Sequence, residues 1–150
     1  MNILFIGDIF GKTGRKMIAT YLPKIVEKYS VECVTANGEN TSHGKGLLQK
    51  HYDELLSHGI SLITMGNHTY SKKEIFDYID EADKLIVPLN KPLAMPGVGS
   101  RVIEVKGKKI RVTNLLGLTF MDGKPQNPFE AIEPVLENDN SDIHIIDLPW

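Results

Sequence analysis

Three short polar clusters in this 150-residue chain carry side chains able to do chemistry together. Gly7-Asp8, Asn37-Gly38-Glu39-Asn40 and Gly66-Asn67-His68 each follow an apolar run. The clusters lie 31 residues apart (8 to 39) and 28 apart (39 to 67), each about the ~30 residues of one strand–helix–strand unit. Successive parallel strands would therefore deliver Asp8, Glu39/Asn40 and Asn67/His68 to one carboxyl edge, where open α/β sheets place their sites. Two carboxylates, two carboxamides and an imidazole suit a divalent cation. Oxygen donors favour Mg²⁺, Mn²⁺ or Fe²⁺, and an imidazole shifts the preference toward transition metals. One carboxylate could bridge two ions about 3.5–4 Å apart, an arrangement that activates water for in-line attack on phosphorus. A neighbouring histidine could then protonate the leaving oxygen.

Taken singly, each residue has a plainer explanation. Asp8 could cap the following helix, Asn37-Gly38 is a turn signal in any context, and His68 could be a hydrogen-bonded surface residue. Their recurrence at three successive strand ends is what singles them out.

The elements that must position these residues are legible as alternating short apolar runs and amphipathic segments. Strands are expected at 2–7, 31–36, 60–65 and 85–87. Helices are expected at about 15–29, where Met17, Ile18, Leu22, Ile25 and Val26 share a face, and at about 47–58. Pro23 should kink or split the first helix. Ser71 with Glu74 reads as a capping box for a third helix carrying Ile75, Phe76 and Ile79. Beyond an irregular stretch from Pro88 to Gly99, Val102–Val105 and Ile110–Asn114 flank Lys106-Gly107-Lys108 as a hairpin. A loop with Gly117, Gly123, Pro125 and Pro128 leads to a helix near 129–136, and 143–147 is a last strand. The order βαβαβαβ over the first 90 residues predicts an α/β fold with a mainly parallel sheet.

Composition narrows the classes. With 41% hydrophobic residues the chain can supply the core of one domain. Its 17 Lys+Arg against 19 Asp+Glu give a net charge of −2, which offers no field for stable nucleic-acid binding. A lone Cys33, expected to pack, forms no internal disulfide and points to a reducing, cytoplasmic setting. No apolar window approaches the ~20 residues of a membrane helix.

Gly7-Asp8-Ile9-Phe10-Gly11-Lys12-Thr13 looks like a P-loop, but the first glycine would have to stand at Ile6. Gly11 and Gly14 would instead let the backbone run close to a ligand whose charge Lys12 or Arg15 would meet. His43-Gly44-Lys45-Gly46, beside Glu39 and Asn40, is either a flexible connector or a loop reaching substrate phosphate through His43 or Lys45. His51 and His58 are expected to face solvent, and His144 to be a satisfied core or surface residue.

The segments ILFIGDIFGKTGR, TANGENTSHGKGL and ITMGNHTYSKKEIFDYID closely resemble successive blocks of the YmdB-like bacterial metallophosphoesterases, members of the calcineurin-like superfamily. The resemblance extends through Asn90-Lys91-Pro92 and Asn114-Leu115-Leu116-Gly117. It implies an αββα sandwich, with the hairpin after residue 100 opening the second sheet. It further implies a dinuclear centre, with Fe or Mn favoured over Mg or Zn, that hydrolyses phosphodiesters such as 2′,3′-cyclic nucleotides. On this resemblance Asp8, Glu39, Asn40 and Asn67 are metal ligands, Glu39 bridges, and His68 is the general acid or transition-state stabiliser.

Family members are considerably longer and take further ligands from histidines in their second half, one in a segment resembling Asp-Phe-His-Ala-Glu. Here the corresponding strand continues as Asp147-Leu148-Pro149-Trp150. His144 matches none of those histidines. The expectation is a single metallophosphoesterase-like domain over 1–150, incomplete at its C-terminus, with impaired metal binding and with uncovered apolar faces that invite self-association. The alternative is a catalytically inactive fragment that binds a nucleotide or partner and regulates.

Overall fold

Along β2 (Cys33–Asn37) side chains alternate between two faces, and all five residues are buried. A strand buried on both sides needs a layer on each, and the computed structural model, which describes residues 1–119, 121 and 125–149, supplies both. β1 (Ile3–Ile6), β2, β3 (Leu62–Thr64) and β4 (Leu85–Ile86) form a parallel sheet in that order. On one face Val34, Ala36, Ile63 and Leu85 pack with Ile18 and Leu22 of α1 (Gly11–Tyr29), Leu55 of α2 (Gln49–Ser57) and Ile75 of α3 (Ile75–Tyr78).

The opposite face meets a second sheet. β5 (Ser100–Val105) and β6 (Lys108–Asn114) are antiparallel, and β7 (Ile143–Asp147) runs parallel to β6 on its other side. Between the sheets, Cys33, Leu62 and Ile86 pack against Ile110 and Val112, bordered by Ile103, Val105, Ile143 and Ile145. α4 (Pro128–Glu137) lies on the outer side of the second sheet through Ile132. The layers are those of an αββα sandwich, as expected. Gly123 and Trp150 lie outside the described residues.

The turn between β5 and β6 is Lys106-Gly107, both at positive φ (49° and 76°), the mirror-image geometry that matches strand twist in two-residue hairpins. The outer edge of β4 is covered by Arg101, whose Nε donates to the Leu85 carbonyl at 2.9 Å.

Three local expectations are corrected. Pro23 does not split α1, which runs unbroken from Gly11 to Tyr29. Pro23 and Ala19, whose carbonyl loses its donor, are both exposed, so that carbonyl is open to solvent. Ser71 caps nothing, and Glu74 is not part of a local box: its Oε1 accepts the Gln49 amide at 2.9 Å. An orphan amide at the start of another helix outcompetes the local partner. His51 is buried rather than solvent-facing.

Among the described residues, apolar surface is left open in two grooves. Met17, Tyr21 and Ile25 of α1 border an open groove beside Leu4 and Ile6, and Phe129 and Leu136 of α4 border another beside Ile146. No helix among the described residues is long and apolar enough to cross a membrane. Leu62 is fully buried between the sheets, so truncating it leaves a cavity in the core. Leu62→Ala is expected to lower unfolding free energy by about 2–5 kcal/mol in a denaturant titration.

Candidate metal centre

Parallel pairing places the carboxyl ends of β1, β2 and β3 side by side, with Ile6 opposite Ala36 and Asn37 opposite Thr64. Asp8 follows β1 at φ 35°, a left-handed conformation that Asp tolerates better than most residues. The two neighbouring loops are then tied together: the Ile9 amide donates to the Asn37 carbonyl at 3.1 Å and the Gly11 amide to the Asn40 carbonyl at 3.0 Å.

Side chains continue that pairing. Asn40 Nδ2 donates to Asp8 Oδ1 at 2.8 Å, and Asn40 Oδ1 lies 2.6 Å from His68 Nδ1. An amide oxygen only accepts, so His68 Nδ1 carries the hydrogen, and Nε2 is the ring nitrogen left for a ligand. Glu39 is buried at 8% exposure. Its Oε2 accepts the His68 amide at 3.3 Å and lies 3.9 Å from His68 Nδ1. Burial pushes the Glu39 carboxyl up. The His68 amide and ring pull the other way, and the charges of Asp8 and Asp147 add to the rise.

Gly66 makes room for this carboxylate. A Cβ there would overlap Glu39 Oε2 and stand 2.7 Å from Oε1. Any larger residue would expel the group, so the glycine and the acid are one feature. Asn67, next in the chain, is exposed and lines a small cavity of about 120 Å³ with Gly66, Tyr70 and Lys91.

The loop after Asn40 is braced from behind. Arg15 donates through Nη1 to the Thr41 carbonyl at 2.9 Å and through Nε to Glu54 at 3.0 Å. Arg15 is thus committed to the protein and does not face a ligand as expected, whereas Lys12 is exposed. Gly14 serves a close approach to Ile9, where a Cβ would meet Cγ2 at 3.1 Å, rather than to a ligand. Buried His51 is hydrogen-bonded through Nδ1 to Ser42 Oγ at 2.7 Å, and that same Oγ accepts the Leu48 amide at 2.8 Å. Burial and the Arg15 charge push His51 down, which favours the neutral ring. His43 (φ 57°) and Lys45 project from this loop into solvent, the His43 ring edge-on to His51 at 6.1 Å.

The structure therefore brings Asp8, Glu39, Asn40 and His68 into one hydrogen-bonded group, with Asn67 beside it and His43 and Lys45 on the adjacent loop. It also adds Asp147. The end of β7 brings this carboxylate to Asn37 and Thr64. Its signal in the sequence was the one used for Asp8, an acid closing an apolar strand. His144 stays on the outer face of the second sheet, with Nε2 2.8 Å from Thr113 Oγ1.

Among the described residues no three His, Cys, Asp or Glu side chains stand close enough to cage a metal by themselves. Any cation here would need amide oxygens to complete its donor set. The residues fit one in two respects. Glu39 is a buried carboxylate with the His68 imidazole 3.9 Å away, and Gly66 holds open the space that carboxylate occupies.

The model of the family described as YmdB-like protein matches residues 4–149. A Bacillus subtilis protein named 2′,3′-cyclic-nucleotide 2′-phosphodiesterase is 49% identical over 121 residues, covering 81% of this chain and 46% of the relative. A crystal structure of a Thermus thermophilus protein titled as hypothetical superposes with a TM-score of 0.90 at 34% identity, covering 99% of this chain and 57% of the other. A Mycoplasma pneumoniae structure titled as a novel phosphatase does so at 0.89 and 39%, covering 97% and 54%. The chain spans about half the length of the relatives it matches.

The raised Glu39 carboxyl makes stability depend on pH. Folded protein holds that proton more tightly than the unfolded chain, so the contribution is complete at acid pH and is lost as pH rises through the folded value. In metal-free protein, Glu39→Gln is expected to remove a downward slope of at most about 1.4 kcal/mol per pH unit just above the ordinary carboxylate range. Denaturant titrations across pH measure it.

Proposed function

The chain belongs to the YmdB-like family, and from that premise we propose that it carries the oxygen-ligand part of a metal-dependent phosphodiesterase site. The observation that supports this best is the Glu39 carboxylate seated on Gly66 and joined through His68 and Asn40 to Asp8. Asp8, Glu39, Asn40 and Asn67 are the residues that would hold divalent ions, Fe or Mn by preference, with the bridging role given to Glu39 by the family resemblance. Bound metal would supply charge neutralisation at the phosphoryl oxygens and activation of the attacking water.

The protein's own part is positioning and proton transfer. Asn40 fixes the His68 ring through Nδ1. In the doubly protonated imidazolium the Nε2 proton is then the one available to the leaving oxygen as the phosphorus–oxygen bond breaks, leaving a neutral ring that keeps its Nδ1 hydrogen. His43 and Lys45, exposed on the neighbouring loop, are placed to meet the rest of a phosphorylated substrate. The relative's name makes a 2′,3′-cyclic nucleotide the substrate class to try first. The lone cysteine suits a reducing cytoplasmic setting, and the apolar grooves left open among the described residues favour self-association.

A second reading, binding of a nucleotide or partner without turnover, draws on the absence of a third acidic or imidazole side chain beside Glu39 among the described residues. One experiment separates the two. Mn²⁺ binding is measured first, followed by turnover of a chromogenic phosphodiester and of a 2′,3′-cyclic nucleotide. The expectation is that Glu39→Gln weakens Mn²⁺ binding and that His68→Ala lowers turnover by about 10²–10⁴-fold. Nucleotide binding with no turnover selects the second reading, and turnover untouched by His68→Ala overturns the assignment of that residue.

A further inference from the structure

Asn37, at the last position of β2, is held by three hydrogen bonds from its carboxamide. Nδ2 donates to the Met65 carbonyl at 3.1 Å and to Asp147 Oδ2 at 3.1 Å, and Oδ1 accepts the Glu39 amide at 3.3 Å. The Met65 carbonyl belongs to the peptide that leads into Gly66. One planar group thus meets the backbone of Glu39 on one side and the approach to its glycine seat on another. Its third anchor comes from the other sheet.

That anchor is itself well held. Asp147 Oδ2 also accepts the Thr64 hydroxyl at 2.5 Å, a short bond to a carboxylate. The Asp147 carbonyl accepts Asn114 Nδ2 at 3.2 Å and the Leu115 amide at 2.9 Å. Asp147 is therefore fixed by β6 behind it and reaches across the sandwich to the ends of β2 and β3. The described hydrogen bonds of Asp147 do not reach Asp8, Asn40, Asn67 or His68 directly. Its charge also opposes that of Glu39, so what it can contribute is geometry.

We infer that Asp147 is a positioning residue that sets the backbone of Glu39 through Asn37 and so couples the second sheet to the site. The inference rests on the role proposed for Glu39 above. A carboxamide could do the same work, because Asn in place of Asp147 keeps an oxygen for both the Thr64 hydroxyl and the Asn37 amide.

The test is amide hydrogen exchange, followed by NMR on the metal-free 150-residue chain. Asp147→Ala should accelerate exchange of the Glu39 amide by about tenfold, while Ile110 and Val112 in the centre of the second sheet stay protected. Asp147→Asn should restore wild-type protection at Glu39. Unchanged exchange at Glu39 in Asp147→Ala overturns the inference. So does equal acceleration throughout the second sheet, which would make Asp147 a clamp between sheets and no more. Should Asp147→Ala fail to fold, Thr64→Val supplies the same comparison, with a smaller acceleration at Glu39 expected and none overturning it. Mn²⁺ titration of the same samples keeps the two claims apart. Wild type that binds no Mn²⁺ yet shows the exchange pattern loses the metal reading and retains the positioning.

Discussion

The carboxylate of Glu39 is buried where the ends of β2 and β3 come together, and much of the local structure follows from making that tolerable. An ionised group removed from water must find compensating partners. Here these are one backbone amide and one imidazole, both from His68. The contact distance leaves no room for a side chain at position 66. It fixes how the loop after β3 must turn, and so where Asn67 and His68 emerge. It also leaves the site electrostatically unfinished: Asp8 and Asp147 both add negative potential to a group already short of solvent. A cluster of this kind leaves negative charge less compensated than a fully paired acid would.

Around that group the fold invests in rigidity rather than in further charge. Asn40 bridges Asp8 and His68, Asn37 bridges Met65, Glu39 and Asp147, and Arg15 holds the loop that begins at Thr41. His51 and Ser42 anchor the same loop from below. These are neutral or fully paired groups. Asn40 apart, which is itself proposed to hold a metal, they position the acids without competing for a ligand, the division of labour expected of a preorganised centre. Tyr70 and Tyr78 belong to the same pattern. Each hydroxyl donates to a backbone carbonyl at 2.6 Å, of Pro96 and Leu47 respectively, and burial holds both phenols protonated.

The failures of sequence reasoning share one cause. The Ser71–Glu74 pair, Arg15 and His51 were each read from neighbours within a few residues. In the structure the partners of Glu74, Arg15 and His51 lie 25, 26 and 9 residues away. A local rule says what a residue can do, not which of several competent partners will be nearest after folding. The capping box shows this well. Glu74 does meet an orphan helix amide, as its motif suggests, but the amide belongs to Gln49 of another helix.

Strand ends, by contrast, were legible because a parallel sheet converts sequence spacing into spatial adjacency with little freedom. Once Ile3–Ile6, Cys33–Asn37 and Leu62–Thr64 are consecutive parallel strands, Asp8, Glu39 and His68 must share an edge. That much the sequence determined by itself: the α/β class, the hairpin, the order of elements and the identity of the clustered side chains. The tertiary structure alone decided the hydrogen-bond roles of Asn40 and Asn37, the seat of Glu39 on Gly66, and the arrival of Asp147 from β7, 110 residues from its partner Asn37. The physical reason is that face and edge follow from period and spacing within one sheet. The meeting of two sheets depends instead on the packing of Leu62, Ile86, Ile110 and Val112 between them, and no short-range pattern encodes it.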